Sequence, residues 1–226
     1  FLENAVRMGI DLSGVTDIVL SHGHNDHTGG LPAFLARFSQ SVRLFAHPRA
    51  LLPKRVEGQD VGSPISLEKL PQRVQTRLVT KPCAVSEHVL FLGEVPRVYA
   101  FEQNRAVGEA PSACGCCWES DALADDTSLA LVLSEGVFVV TGCAHAGVCN
   151  TVAYAKEISG KERVLGVLGG FHLFETGGVL DETIATLRAL GVERVYPAHC
   201  TSLAVKSALF AAMPTQEVGV GLTILW

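Results

Sequence analysis

Ser21-His22-Gly23-His24-Asn25-Asp26-His27-Thr28-Gly29-Gly30-Leu31 decides how the rest of the chain is read. Three histidines and a carboxylate fall within six residues, directly after the apolar run Asp17-Ile18-Val19-Leu20. On this composition a chance H-x-H-x-D-H has odds of roughly 3 in 10,000, so the pattern calls for a chemical explanation. Neutral imidazole and carboxylate are ligand types that borderline cations such as zinc prefer. A strand that stops at a glycine-bounded loop aims several side chains at one point. The spacing supports two ions, with His22 and His24 facing one, and Asp26 and His27, half a turn further on, facing its neighbour.

The flanks set the fold class. Downstream, Leu31, Phe34, Leu35 and Phe38 recur at helical spacing, with Pro32 suited to a first turn. Upstream, Leu2, Ala5 and Val6 are predicted to share one face of a helix that Gly9 ends. Strands are predicted over Val42–Ala46, Gln75–Thr80 and Val89–Leu92. The prolines and glycines of residues 49–73 make that stretch a surface excursion, where Lys54 and Arg55 are either solvated or available to an anionic substrate. Residues 103–127 lack periodicity. They include Cys114-Gly115-Cys116-Cys117, read as loop thiols because no partner pair follows at zinc-ribbon spacing.

The second half alternates regularly. A hairpin over 128–133 and 137–141 runs into Gly142-Cys143-Ala144-His145, and a helix follows over Val148–Ile158. A strand over Arg163–Leu168 delivers His172. A helix over Asp181–Leu190, N-capped by Asp181, leads to a strand over Val192–Tyr196 that delivers His199. A helix over Ser202–Met213 and a last strand over Val218–Leu225 complete the chain. Three strand ends thus carry His145, His172 and His199, where open α/β sheets bind ligands. His47 and His88 lack such a setting.

Bulk properties narrow the class. At 226 residues, 48% hydrophobic and 18% charged, the chain is long and apolar enough for one buried core, and 1–226 is read as a single domain. No apolar run is long enough to span a membrane. The first residues lack the order of a signal peptide. A net charge of −5 argues against nucleic-acid and anionic-membrane partners and leaves a small anionic substrate open. The odd count of 7 cysteines favours reduced thiols in the cytoplasm.

SHGHNDHTGG resembles the signature loop of the metallo-β-lactamase superfamily. The resemblance implies an α/β fold, an αββα sandwich with one or two divalent metal ions at its edge. Zinc is expected first, with iron or manganese as alternatives. It assigns His22, His24 and His145 to one ion, and Asp26, His27 and His199 to the other. Asp26 and His172 become the expected catalytic residues, with His172 and Arg97 touching substrate. Gly93-Glu94-Val95-Pro96-Arg97…Phe101-Glu102 and Asp125-Asp126-Thr127 resemble a subgroup labelled dihydropterin-ribofuranosylaminobenzene phosphate synthase. Arg97 offers a planar fork for phosphate or carboxylate, or a partner for Glu94 or Glu102. The implied activity is metal-dependent hydrolysis by a metal-activated water on a phosphorylated or pterin-like substrate, or the related synthase reaction. An iron oxidoreductase or a non-catalytic metal binder is the alternative, and a nuclease is disfavoured by acidity. Where many members carry a bridging aspartate, Cys143 stands here. The family's first strands are expected to be absent from this sequence, which would leave an apolar face for a second copy to cover.

Overall fold

The computed structural model describes residues 1–102, 106–112 and 114–225, and the chain forms two compact units. Residues 103–105 and 113 of the aperiodic stretch lie outside the described residues. The first unit comprises 1–80 and 106–125, the second 81–105 and 126–226.

In the first unit α1 (Leu2–Arg7) ends at Met8, followed by Gly9 at φ 68, the left-handed position glycine tolerates best. Ala5 is buried and Leu2 packs partly buried against the core, but Val6 is 78% exposed, so only part of the expected face is covered. Strand β1 (Asp17–Val19) runs parallel to β2 (Val42–Ala46), which runs parallel to β3 (Val74–Leu78). Between β1 and β2 lie the histidine loop, a helical turn (Asn25–Thr28) and α2 (Gly30–Arg37). Leu31, Phe34 and Leu35 of α2 pack with Leu20, Val42, Leu44 and Ala46. Each fully buried aliphatic side chain contributes about 1.5–3 kcal/mol. The excursion of residues 49–73 is partly ordered: Arg55–Val56 pairs with Gln59–Asp60 and with Glu109–Pro111, which pairs with Trp118–Ser120.

The second unit is built on a six-stranded sheet. Its strands are β4 (Cys83–Ser86), β5 (Val89–Phe91), β6 (Ser128–Val132), β7 (Val137–Thr141), β8 (Val164–Gly170) and β9 (Val195–Ala198). The order is β9-β8-β7-β6-β5-β4, with β7, β8 and β9 parallel and the rest antiparallel. Helices α3 (Val148–Ser159) and α4 (Gly178–Ala189) cross over between the parallel strands, and α5 (Leu203–Ala212) follows β9. Val139, Val167 and Val195 meet Val152, Leu187 and Leu209 in the main core.

Two expectations need correction. Asp181 does not cap α4: the helix starts at Gly178 after Gly177 at φ 137, a backbone that glycine supplies, and Asp181 sits inside the first turn, where its charge favours the helix dipole. Val218–Leu225 is not a strand. Val218, Leu222 and Ile224 instead lie against Phe138, Leu165 and Tyr196 on the other sheet face, and Gly219 and Gly221 interrupt any regular run.

Glu102 gives the Gly93–Glu102 segment a physical role. Its two carboxylate oxygens accept from the backbone amides of Cys149 (2.9 Å) and Asn150 (2.8 Å), at the start of α3. A Cβ on Gly147 would stand 2.1 Å from the same carboxylate, so only glycine, at φ 102, fits there. Asn150 accepts from the amides of Val98 (2.8 Å) and Tyr99 (3.1 Å) and donates to the Ala146 carbonyl (2.8 Å). One side chain thus links the Arg97 segment to the His145 loop. Glu102→Ala strands two buried amides and is expected to cost about 1–3 kcal/mol in urea unfolding; an unchanged midpoint would contradict the capping role.

Candidate functional site

In the first unit β1 hands over to a loop that gathers four candidate ligands. His22 is fully buried, and its Nε2 lies 3.1 Å from Nδ1 of His24. The Ser21 hydroxyl reaches Nδ1 of His22 (3.1 Å) and of His27 (3.3 Å). The His22 and His27 rings lie 4.2 Å apart, and Asp26 sits 3.3 Å from Nε2 of His27 with its side chain 51% exposed. These contacts place the four side chains beside one another. The donor set fits a borderline cation: two nitrogens about 2.0–2.1 Å from one tetrahedral ion sit roughly 3.3 Å apart, close to the His22–His24 separation.

The loop is anchored from behind by charges that the sequence reading misplaced. Lys54 is neither solvated nor open to substrate. At 1% exposure its ammonium lies 2.5 Å from Asp121 and 3.0 Å from Asp125, both also buried. Asp125 also accepts from the Gly23 amide (2.8 Å), between His22 and His24, and Asp121 accepts from the Leu123 amide (2.9 Å). A Cβ on Gly23 would meet the Ala50 carbonyl oxygen at 2.5 Å and Lys54 Cε at 2.7 Å, so glycine is what lets the loop lie on this triad. Burial, and then the Lys54 charge, hold the His24 imidazole below its ordinary pKa against the pull of Asp125, Asp26 and Asp121. That keeps it neutral, as ligation requires. Arg55 lies over the Trp118 ring at 4.1 Å, a cation–π contact that gives it a structural partner.

In the second unit the ends of β7, β8 and β9 present His145, His172 and His199. His145 is buried, and its ring centroid lies 4.3 Å from that of His172. His172 is also 5.0 Å from the Phe174 ring and helps line a cavity of about 410 Å³ with Phe174, Thr176 and Gly177. Ala144, His172 and His199 all hold left-handed backbone, at φ 54, 48 and 47. Such residues are uncommon outside glycine and collect at functional loops. Asp126, 1% exposed, accepts from the Ala146 amide (2.9 Å) and so steadies the His145 loop much as Asp125 steadies the His24 loop. The acidic pair thus has a scaffolding role, which adjacency alone could not reveal.

Arg97 is half-buried in the segment held by Asn150. Of the remaining histidines, His47 is buried and its Nδ1 accepts from the Arg49 amide (3.1 Å), while His88 is exposed. Sequence reasoning also missed Cys200, whose Sγ stands within 4.8 Å of ligand atoms of Cys143 and His199. The Cys143 side chain, by hydrogen bonding, lowers the Cys200 pKa against the effect of burial.

Comparisons with known proteins agree with this picture. The family model described as the metallo-beta-lactamase superfamily matches residues 2–97. A Methanocaldococcus jannaschii protein named 7,8-dihydropterin-6-methyl-4-(beta-D-ribofuranosyl)-aminobenzene-5'-phosphate synthase is 30% identical over 211 residues, 88% of this chain and 71% of that protein. An uncharacterized protein of the same organism is 28% identical over 204 residues, 88% of this chain and 74% of its own length. The crystal structure of Tm1679, titled a metal-dependent hydrolase of the beta-lactamase superfamily, superposes with a TM-score of 0.83 at 26% identity, covering 98% of this chain and 82% of that one. The α/β fold class expected from the histidine loop is the one observed. No helix among the described residues is long and apolar enough to cross a membrane.

Proposed function

The chain belongs to the metallo-β-lactamase superfamily, and on that premise we propose that it is a metal-dependent hydrolase of a small anionic, phosphorylated or pterin-like substrate. The observation that carries this reading is the facing pair His22 Nε2 and His24 Nδ1, 3.1 Å apart on a loop fixed by a buried charge triad. The proposed metal ligands, for one or two divalent ions, are His22, His24, Asp26 and His27 of the first unit and His145 and His199 of the second. Zinc is the first choice, ahead of iron or manganese. Such ions supply Lewis acidity and lower the pKa of coordinated water towards neutrality.

The chain's own groups do the rest. Asp26, half exposed, would orient the attacking water and take up its proton. His172, beside the cavity, is positioned to donate a proton to the leaving oxygen or to steady developing negative charge. Arg97 supplies a fork for phosphate or carboxylate. The pterin-like substrate class is supported by the name of the Methanocaldococcus jannaschii relative, and the proposed partner is a small molecule rather than nucleic acid.

Elemental analysis of purified protein, followed by phosphomonoesters, phosphodiesters and lactones on the same sample, tests the proposal. Stoichiometric zinc with turnover of one ester class is expected. Bound iron with a visible absorption band and no hydrolysis would favour an oxidoreductase instead. Full metal occupancy with no turnover of any ester would make the protein a non-catalytic metal binder.

A further inference from the structure

Cys114, Cys116 and Cys117 lie on the turn between the paired segments Glu109–Pro111 and Trp118–Ser120 of the first unit, and all three are exposed. The turn is held by the Ser112 amide on the Cys117 carbonyl (2.9 Å) and the Gly115 amide on the Ser112 carbonyl (2.8 Å). Cys114 and Cys116 are joined as a disulfide, which corrects the reduced thiols expected from the odd cysteine count, and Cys117 keeps a free thiol. The pairing spans two residues, and a count over the whole chain carries no signal for so local a ring.

The free thiol is held against the disulfide. Cys117 Sγ stands 4.0 Å from Cys116 Sγ, and the three sulfurs all lie within 4.8 Å of one another. The Cys117 thiol donates to the Ser112 hydroxyl at 3.3 Å. That hydroxyl donates in turn to Cys114 Sγ at 3.2 Å, since a disulfide sulfur has no proton to give. The Cys116 amide donates to the same sulfur at 3.4 Å. Both donors draw charge from Cys114 Sγ and make it the sulfur at which a thiolate attacks. Sterics agree: adjacent Cα atoms are about 3.8 Å apart, short of the roughly 4.4–6.8 Å that a disulfide spans, so Cys117 pairs with Cys114 rather than with Cys116. Elsewhere the thiols are secluded, with Cys143 and Cys149 buried and Cys83 and Cys200 half-buried.

We propose that Cys114, Cys116 and Cys117 form a thiol–disulfide exchange site for low-molecular-weight thiols, with Cys117 resolving adducts on Cys114. A small thiolate attacks Cys114 Sγ. The bond to Cys116 breaks, and its electron pair leaves on Cys116 Sγ, which takes a proton from solvent. Cys117, having given its own proton to solvent, then attacks Cys114 Sγ, forms the Cys114–Cys117 disulfide and expels the small thiolate. The oxidation state of the chain is unchanged by this pair of steps. Two-electron reduction to three thiols follows when a second small thiolate attacks the outer sulfur of the adduct and leaves as the small-molecule disulfide. None of the three cysteines is among the proposed metal ligands, so the inference stands apart from the hydrolase reading.

The full chain equilibrated with reduced and oxidised glutathione, quenched in acid and alkylated, tests this. Fragment-ion mass spectrometry locates the thiols left free and so shows which pair is joined. Both the Cys114–Cys116 and the Cys114–Cys117 disulfides are expected. In Cys116→Ser, Cys114 should join Cys117 and hold little glutathione. Adding Cys117→Ser should raise the Cys114 adduct on the order of tenfold, because the intramolecular competitor is gone. Glutathione on half-buried Cys83 is the reference and should be equal in the two variants. Equal Cys114 adducts in the single and double variants would overturn the inference. So would a Cys117 that stays free in the unmodified chain and in Cys116→Ser at every glutathione ratio.

Discussion

Replacing Lys54 with methionine is expected to lower stability by roughly 3–5 kcal/mol, because it leaves two buried carboxylates without their countercharge. Methionine preserves most of the side-chain volume, so the loss reports charge rather than a cavity. Asp121 and Asp125 are at most 2% exposed, and the Leu123 and Gly23 amides that they accept from are neutral donors that cannot replace the ammonium charge. The exposed pair Arg163–Glu193, at 2.7 Å with side chains 58% and 45% exposed, provides the control. Arg163→Met should cost no more than about 1 kcal/mol. Urea unfolding of both variants gives the comparison, and similar small losses would mean that the triad contributes no more than a surface contact.

His24→Ala and Asp26→Ala should each lower kcat/KM on order of 10³-fold, about 4 kcal/mol of transition-state stabilisation. Asp26 is half exposed, so its removal disturbs no core packing and circular dichroism should be unchanged. Full activity in either purified, metal-supplemented variant would defeat the assignment. A pH effect follows from the same loop. The native pKa of His24 lies below its ordinary 6.5, so the unfolded chain takes up a proton first as pH falls. Its contribution to metal-free stability is therefore fully present above 6.5 and is lost between 6.5 and the lower native value. Denaturant midpoints that do not fall across that window, in unmodified protein compared with His24→Ala, would remove His24 as the cause.

What the sequence made legible was local. His22, His24, Asp26 and His27 are close in the chain, so spacing alone could announce them, and a strand-end position does the same for His145 and His199. The α2 face and the 128–141 hairpin were equally readable, since period and turn chemistry act over a few residues. Lys54 was not, because its partners lie 67 and 71 positions away and nothing near it signals burial. The role of Glu102 was hidden for the same reason: its two amides belong to Cys149 and Asn150, 47 and 48 positions on. Val218–Leu225 misled by composition. Its apolar residues are buried against a sheet face, and burial of that kind requires no ladder.

The bond from the Gly23 amide to Asp125 spans 102 positions, which gives the protein an order of assembly. A growing polypeptide presents all four donors of the early loop long before the carboxylates that fix it have been translated. Closing so long a span costs entropy before any contact repays it. A ribosome-bound intermediate that ends before Asp125 therefore carries those imidazoles on an unanchored segment, and the loop takes its final shape only after that carboxylate has emerged.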